Sequence, residues 1–461
     1  MTVETRTPYK DGMGVITLTI YTRPHDCTGR CLYCFTEEGM PRSALLHSDT
    51  KRALDCDWKP RKQLEKLFGM YGIQHKMGNK YGINILGGSF TNYSQEYLRH
   101  YFKEVYDFFS QKQSSSLQEA KHHHLDSSDH ICRLSVATRP NLVDEEWCRF
   151  LVELGVSEVQ IGVQSIREDV LEINRRGHSV EDVKTATKLL KYYGFAIVYH
   201  VMLGMVGSNL PDEVEDISIK LWEPGYCPDY LKIYPCIATN QANHNVSPSE
   251  WFKYRWKPLS DESFFEALLT IKKRIPRYLF IIRIQRILPP DLIKYGPKTV
   301  VDRAQFLGLC NCIFHRALPV VGMQSSLDTT KVRYLYHRQD CGVTIEAAIG
   351  KLCLGYCRME IICRTGVLRE LRVIGKMLGV GCVRSDNMTA QHKGIGRSML
   401  QLAFEYACNN GAKALSVAAI PGAVRYFERI GCNVRDGKLM MVPDENAIPV
   451  NSAGGTDNQL S

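Results

Sequence analysis

Short apolar runs recur through the first 240 positions, each followed by a segment in which apolar residues return every three or four places. The strand-like runs are Gly14–Tyr21, Gly82–Leu86, Arg133–Thr138, Glu158–Val163, Ala196–Met202 and Tyr230–Tyr234. Helical periodicity fills intervals at Gln95–Ser110, Glu145–Leu154, Glu168–Asn174 and Val180–Tyr193. Strands alternating with helices form parallel βαβ units. Six such units predict a partial (β/α)6 barrel, with its chemistry at the C-terminal strand ends. The Ser-, Gln- and His-rich stretch 111–130 breaks the rhythm and reads as a surface insertion, its His122–His124 run lying on a flexible loop. A helix pattern returns over Asp261–Arg274, followed by an apolar, strand-like run. The expected organisation is a barrel domain over 1–303, a hinge over 304–340, a second α/β domain over 341–445 and a disordered tail over 446–461.

Length agrees with two cores, since 461 residues exceed one ordinary domain. No run of about 18 apolar residues occurs, so no membrane span is expected. Tyr278–Leu288 comes nearest, and Arg283 and Arg286 interrupt it. Met1–Lys10 is polar and mixed in charge, unlike a secretory signal. Seventeen cysteines without such a signal imply reduced thiols, some bound to metal, and a cytoplasmic setting. Cys132, Cys148 and Cys408 sit in apolar-periodic surroundings and read as small core residues. A net charge of +9 favours anionic partners without naming one.

Cys27-Thr-Gly-Arg-Cys31-Leu-Tyr-Cys34 is the most specific motif. Three thiolates at this spacing can wrap one face of a [4Fe–4S] cluster and leave its fourth iron open. Zinc would normally want four ligands in paired spacing, and no fourth is nearby. The triplet follows the first expected strand, and Tyr33 occupies an aromatic position beside it. At the end of the second strand, Gly87 and Gly88 in Ile85-Leu-Gly-Gly-Ser89 let backbone approach a ligand closely.

A second motif, Gln391-His-Lys-Gly-Ile-Gly396, precedes the amphipathic stretch Arg397–Cys408. Glycines and a helix N-terminus in this order suit a pyrophosphate. The strand-like run Leu368–Ile374 stands before it, and Ala423-Val-Arg-Tyr-Phe-Glu-Arg-Ile-Gly431 after it. This succession resembles a GNAT acetyl-CoA-binding domain.

A radical-SAM motif followed by a GNAT motif resembles the catalytic-subunit family of Elongator, radical-SAM tRNA uridine carboxymethyltransferases that also exist as single chains. Ala137-Thr-Arg-Pro-Asn141, Glu158-Val-Gln-Ile-Gly-Val-Gln-Ser165, Asn174-Arg-Arg-Gly-His178, Leu231-Lys-Ile-Tyr-Pro235 and Leu368-Arg-Glu-Leu-Arg-Val373 carry the resemblance further. It implies a [4Fe–4S] cluster on Cys27, Cys31 and Cys34, S-adenosylmethionine (SAM), and acetyl-CoA between the domains. The implied reaction abstracts hydrogen from the acetyl methyl group and adds that carbon to C5 of the wobble uridine in a tRNA anticodon stem-loop. Thioester hydrolysis then leaves a carboxymethyl group.

By the same resemblance Gly87, Gly88 and Ser89 receive SAM, and Lys80 is associated with acetyl-CoA. Glu370, Leu371, Arg372 and Val373 face CoA, as do Ala390, Gln391, His392, Lys393, Gly394 and Gly396, and Tyr426 stands near the thioester. Arg139 at a strand exit is a candidate for a SAM or substrate carboxylate, and Gln164 joins the cofactor set. Lys232, on an expected barrel strand, needs an anionic partner if buried. Lys232, Tyr426 and Glu370 are the catalytic candidates. Cys310, Cys312 and His315 in the hinge are a candidate zinc set, weighed against buried thiols beside a surface histidine.

Several residues depart from the family pattern. Cys34-Phe-Thr-Glu replaces Cys-Pro-Gly-Gly, Leu318-Pro-Val-Val-Gly322 replaces an Arg-Glu-Val-Gly element, and Phe427 stands where a second tyrosine is expected. A phenylalanine cannot serve as a general acid, which disfavours ordinary amine acetylation. Three alternatives stay open: a related enzyme acting with both cofactors on another substrate, a protein N-acetyltransferase with a structural cluster, and a binding protein. The electron donor and any accessory Elongator-like subunits are not named by the sequence.

Overall fold

The computed structural model describes residues 15–46, 48–75, 78–240, 243–244, 246–285, 288–322, 328–339, 342–374, 393–417, 424–435 and 438–442. Seven parallel strands form the first sheet: β1 (Val15–Tyr21), β2 (Lys80–Leu86), β3 (His130–Thr138), β4 (Glu158–Gln164), β5 (Ala196–Leu203), β6 (Tyr230–Pro235) and β7 (Phe280–Arg283). They lie side by side in chain order. Six are the strands the sequence predicts, and the seventh is the apolar run after Asp261–Arg274. The result is an open, curled (β/α) barrel.

Alternation along the strands explains the two faces. On β4, Val159, Ile161 and Val163 join the apolar core, while Gln160 bonds to side chains of β3, β5 and β6 across the concave face. Local chemistry sets the helix ends. Ser94 caps α1 (Gln95–Ser110) by accepting from the Tyr97 N–H. Asp144 does the same for Trp147 at the start of Glu145–Leu154, and Gly155 closes that helix in the left-handed region at φ 80°.

The stretch 111–130 is not a flexible loop. It contains α2 (Leu117–Leu125), which packs on α1 and buries Leu117, Ala120 and His124. His124 Nε2 accepts from the Ile131 N–H at 3.1 Å, so this histidine ties the insertion to β3. The polar composition concealed an apolar stripe one turn deep.

The second sheet is mixed. Its strands are β8 (Arg333–Arg338), β9 (Gly342–Ile349), β10 (Leu352–Ile362), β11 (Thr365–Val373), β12 (Leu415–Val417), β13 (Asn433–Arg435) and β14 (Lys438–Met441), in the order β8-β9-β10-β11-β12-β14-β13. β11 and β12 pair in parallel, and the other pairs are antiparallel. The parallel step requires a crossover, and α4 (Ile395–Asn409), packed on β10 and β11, supplies its helical part. In the hinge, α3 (Ile313–Gly322) packs on both β7 and β10, so one apolar core runs through both sheets. The expected tail over 446–461 lies outside the described residues. Among the described residues no helix is long and apolar enough to cross a membrane.

Candidate active site

The three cysteines occupy the loop after β1, at the C-terminal end of the parallel sheet. Cys31 is buried and Cys27 and Cys34 are half-buried. Burial first, and then the neighbouring Cys31, push the Cys34 thiol up to about 11. A metal ion binding there must displace that proton. Arg176, from the Asn174–His178 segment after β4, donates Nη1–H to Cys31 Sγ at 3.0 Å. The Leu32 N–H donates to the Asn174 carbonyl at 3.0 Å, tying the two segments together.

Around this loop the structure gathers buried polar atoms that find no hydrogen-bond partner among the described residues: Arg139 Nε, Arg176 Nε and the Tyr33 hydroxyl. Buried polar groups are normally paired, so this concentration marks a place where a ligand is expected. Backbone approaches closely here too. A Cβ on Gly29 would stand 2.5 Å from Arg139 Nη1, and one on Gly87 would stand 1.7 Å from Thr22 Oγ1. Ser89 and Cys27 face each other at 3.9 Å. Gly88 takes φ +97°, which L side chains rarely adopt. Gln164 ends β4 at φ 70°.

Gly87→Ala should therefore force the Thr22 hydroxyl away from Tyr93 and the Leu86 carbonyl, to which it now bonds. A loss of about 1–3 kcal/mol is expected from the overpacking, read by urea unfolding against wild type. An unchanged midpoint would mean that the turn has more room than its geometry indicates.

Lys232 is buried on β6 and donates to Gln160 Oε1 at 2.6 Å. His200 on β5 shares that oxygen at 2.8 Å. Gln160 in turn donates to Ser135, whose hydroxyl donates to Glu158 at 2.5 Å. Burial, with Arg283 and Arg133 nearby, lowers Lys232 to about 7, against the opposing pull of Glu158. Its unfolded value is about 10.4, so the unfolded chain binds more protons between those limits. This contribution to stability is fully present above about 10.4 and is lost as pH falls through about 7. Wild type should gain about 1 kcal/mol per pH unit over Lys232→Met between about pH 8 and 10, measured by urea unfolding. A pH-independent difference would contradict the assignment.

Glu370 on β11 lies at the junction of the sheets. It accepts from the Tyr230 hydroxyl at 2.5 Å, the Tyr356 hydroxyl at 3.0 Å, Arg358 Nη1 at 3.1 Å, and Arg372. Burial would raise its carboxyl, but Arg372 and Arg358 hold it below the usual range. A carboxylate with four donors on it anchors the strands that supply them. Leu371, Arg372 and Val373 follow on the same strand, each partly exposed.

Lys80 opens β2 and pairs in register with Val15 and His130. It stands at the opposite end of the strand from Gly87–Ser89, so the structure does not bring it to that glycine turn. At the second motif, Gly394 is the N-cap of α4 at φ 80° and Gly396 is buried in its first turn. Lys393 immediately precedes the cap. Ala390, Gln391 and His392 lie outside the described residues. Tyr426 is on the helix Val424–Arg429, with its side chain outside the described set, and Phe427 is buried.

The hinge triad is closer than its sequence suggests. Cys310, Cys312 and His315 are all buried, so the histidine is not the surface residue of the alternative reading. Their potential ligand atoms lie within 4.8 Å of one another, with Cys312 Sγ 3.1 Å from His315 Nδ1. Burial opposes the Cys312 thiolate, but hydrogen bonds from Cys310 and His315 hold its pKa well below the ordinary value. Among the described residues His315 Nε2 has no partner, and Lys272 Nζ is 4.0 Å from Cys310 Sγ.

Sequence reasoning missed Arg176, Gln160, His200 and Tyr230 as individual site residues. The first, second and fourth stood inside or beside quoted motifs, but their partners are far along the chain.

Comparison with known proteins agrees with this layout. The family described as the radical SAM superfamily matches residues 21–218, which implies SAM and a [4Fe–4S] cluster. The tRNA uridine(34) acetyltransferase of Dehalococcoides mccartyi is 29% identical, covering 92% of this chain and 97% of that protein. That of Methanocaldococcus jannaschii is 28% identical over 92% of this chain and 84% of its own length. Human Elongator complex protein 3 is 24% identical, with coverage of 92% and 83%. The solved archaeal Methanocaldococcus infernus Elp3, with an N-terminal deletion, superposes with a TM-score of 0.75 at 23% identity. It covers 94% of this chain and 100% of that one, which establishes the shared fold.

Proposed function

From a chain that is a divergent single-chain relative of the Elongator catalytic-subunit and tRNA uridine(34) acetyltransferase family, we propose a radical-SAM enzyme that uses SAM and acetyl-CoA to place a carboxymethyl group on C5 of the wobble uridine of tRNA. The observation that carries this reading is the Cys27–Cys34 loop, set at the C-terminal end of the parallel sheet beside buried Arg139 Nε, Arg176 Nε and Tyr33 hydroxyl, none of which has a partner among the described residues. Those residues fit the group. Cys27, Cys31 and Cys34 would hold the cluster, with Gly87, Gly88 and Ser89 beside them for SAM. When bound, the cluster supplies the electron that cleaves SAM to a 5′-deoxyadenosyl radical.

The remaining roles fall to the chain itself. The N-terminus of α4, with Lys393, Gly394 and Gly396, suits the pyrophosphate of acetyl-CoA. By the family resemblance, Gln391 and His392 would contact CoA and Tyr426 would serve near its thioester. Glu370 fixes β11 against β6 through Tyr230. Lys232 is the amine that would exchange a proton with the substrate in the barrel. Basic side chains on both domains would bind the anticodon stem-loop, so added salt should weaken tRNA binding. A structural zinc on Cys310, Cys312 and His315 is a further proposal favoured by their burial and mutual approach.

Acetyl-CoA carrying a deuterated methyl group tests the reading. Deuterium should pass into 5′-deoxyadenosine in the presence of tRNA. Deoxyadenosine that stays unlabelled would show that acetyl-CoA is not the hydrogen donor and would favour another substrate.

A further inference from the structure

Resting on the reading that Cys27, Cys31 and Cys34 hold the cluster, we infer that Arg176 is a positioning residue that makes this cluster easier to reduce, acting through Cys31. The argument starts from an unusual burial. Arg176 is 5% exposed, yet no carboxylate among the described residues pairs with it. Its Nη1–H points at Cys31 Sγ at 3.0 Å, and Nη2–H goes to the Gly162 carbonyl. The guanidinium also stands over the Tyr33 ring, 5.9 Å from its centroid.

A buried, uncompensated cation costs several kcal/mol, so its placement needs an anion. A thiolate bound to iron is that anion. Arg139 holds the arrangement from behind, donating Nη2–H to the Arg176 carbonyl. Gly177 permits that approach, because a Cβ there would stand 3.0 Å from Arg139 Nη2.

Two effects then act in the same direction. A hydrogen bond to a ligating sulfur withdraws charge from the cluster, and a fixed positive charge in a low-dielectric site favours the more negative, reduced state. Arginine is suited to this because it stays charged under all ordinary conditions. Loss of the guanidinium should therefore lower the cluster's midpoint potential.

The test is an anaerobic redox titration of the reconstituted full-length protein, followed by electron paramagnetic resonance. It compares wild type with Arg176→Met, Arg176→Gln and the exposed neighbour Arg175→Met, with iron and sulfide content measured in each. At a fixed poise, Arg176→Met should show the ratio of reduced to oxidised cluster lowered about tenfold, equivalent to about 59 mV for one electron. Arg176→Gln keeps an N–H donor without the charge and should fall less, while Arg175→Met should match wild type. Should Arg176→Met fail to load, the glutamine variant decides, and a fall of several-fold supports the inference. Normally loaded variants with an unchanged midpoint would overturn the role of Arg176 and leave the cluster reading intact. A wild type that takes up no cluster would instead overturn the reading on which the inference rests.

Discussion

Cys31→Ala, reconstituted anaerobically with iron and sulfide, should produce no 5′-deoxyadenosine above the level of iron-free protein. Cys31 is the buried member of the triplet. With three thiolates available, removing one leaves two ligands and a site shielded from the solvent that would have to replace it. The loss should be on the order of 10³-fold or more, because the cofactor carries the difficult step while the protein binds and orients. Cys31 Sγ accepts from the buried Arg176, so the substitution should also cost the metal-free protein about 1–3 kcal/mol, read by thermal unfolding. Assaying deoxyadenosine beside iron content separates the outcomes. A Cys31→Ala protein that still cleaves SAM would exclude Cys31 as a cluster ligand.

Arg369→Met should destabilise the fold by about 3–5 kcal/mol, the usual cost of stranding a buried charge. Arg369 on β11 has a side chain only 4% exposed and bridges two carboxylates. Its Nη1 donates to Glu360 at 2.7 Å and its Nη2 to Asp229 at 3.2 Å. Asp229 belongs to the barrel and also lies 3.9 Å from Arg358, which pairs with Glu370 at 3.1 Å. Lys191 reaches Glu360 from the barrel helix Val180–Tyr192 at 3.1 Å. Removing Arg369 leaves Asp229 short of its nearest cation, and burial then opposes its charge. Urea unfolding gives the measurement. A loss below about 1 kcal/mol would mean that solvent reaches the junction and that the two sheets do not depend on one another through it.

Much of this architecture was legible in the chain. The six strands stood out because Val159, Ile161, Val163 and their counterparts alternate with polar residues that face the barrel's inside. The seventh strand, Phe280–Arg283, is only four residues long and registered as an apolar run without a place. The junction was invisible for a different reason. Tyr230 and Glu370 lie 140 residues apart, and Arg358, Arg369 and Glu360 alternate with apolar neighbours as charges on an exposed strand would. Only the packing of one sheet against the other makes them a buried network.

The site divides along the same line. The cysteine spacing and the Gly87–Gly88 turn are local signals, and the structure brings them together. Arg176 lies in a motif already noticed, but its thiol partner is 145 residues away. His315 sits in the mostly apolar run Ile313–Leu318, but its approach to Cys310 and Cys312 follows only from the way the chain folds there. The segment 111–130 misled through composition, since three buried residues are enough to seat a short helix.

The central claim is tested most directly by incubating the reconstituted protein with SAM, a reductant, acetyl-CoA and unmodified tRNA, then digesting the tRNA for mass spectrometry of its nucleosides. The account predicts carboxymethyluridine at the wobble position that requires both acetyl-CoA and Cys31. Unmodified tRNA from a protein that carries its cluster and still forms 5′-deoxyadenosine would contradict it.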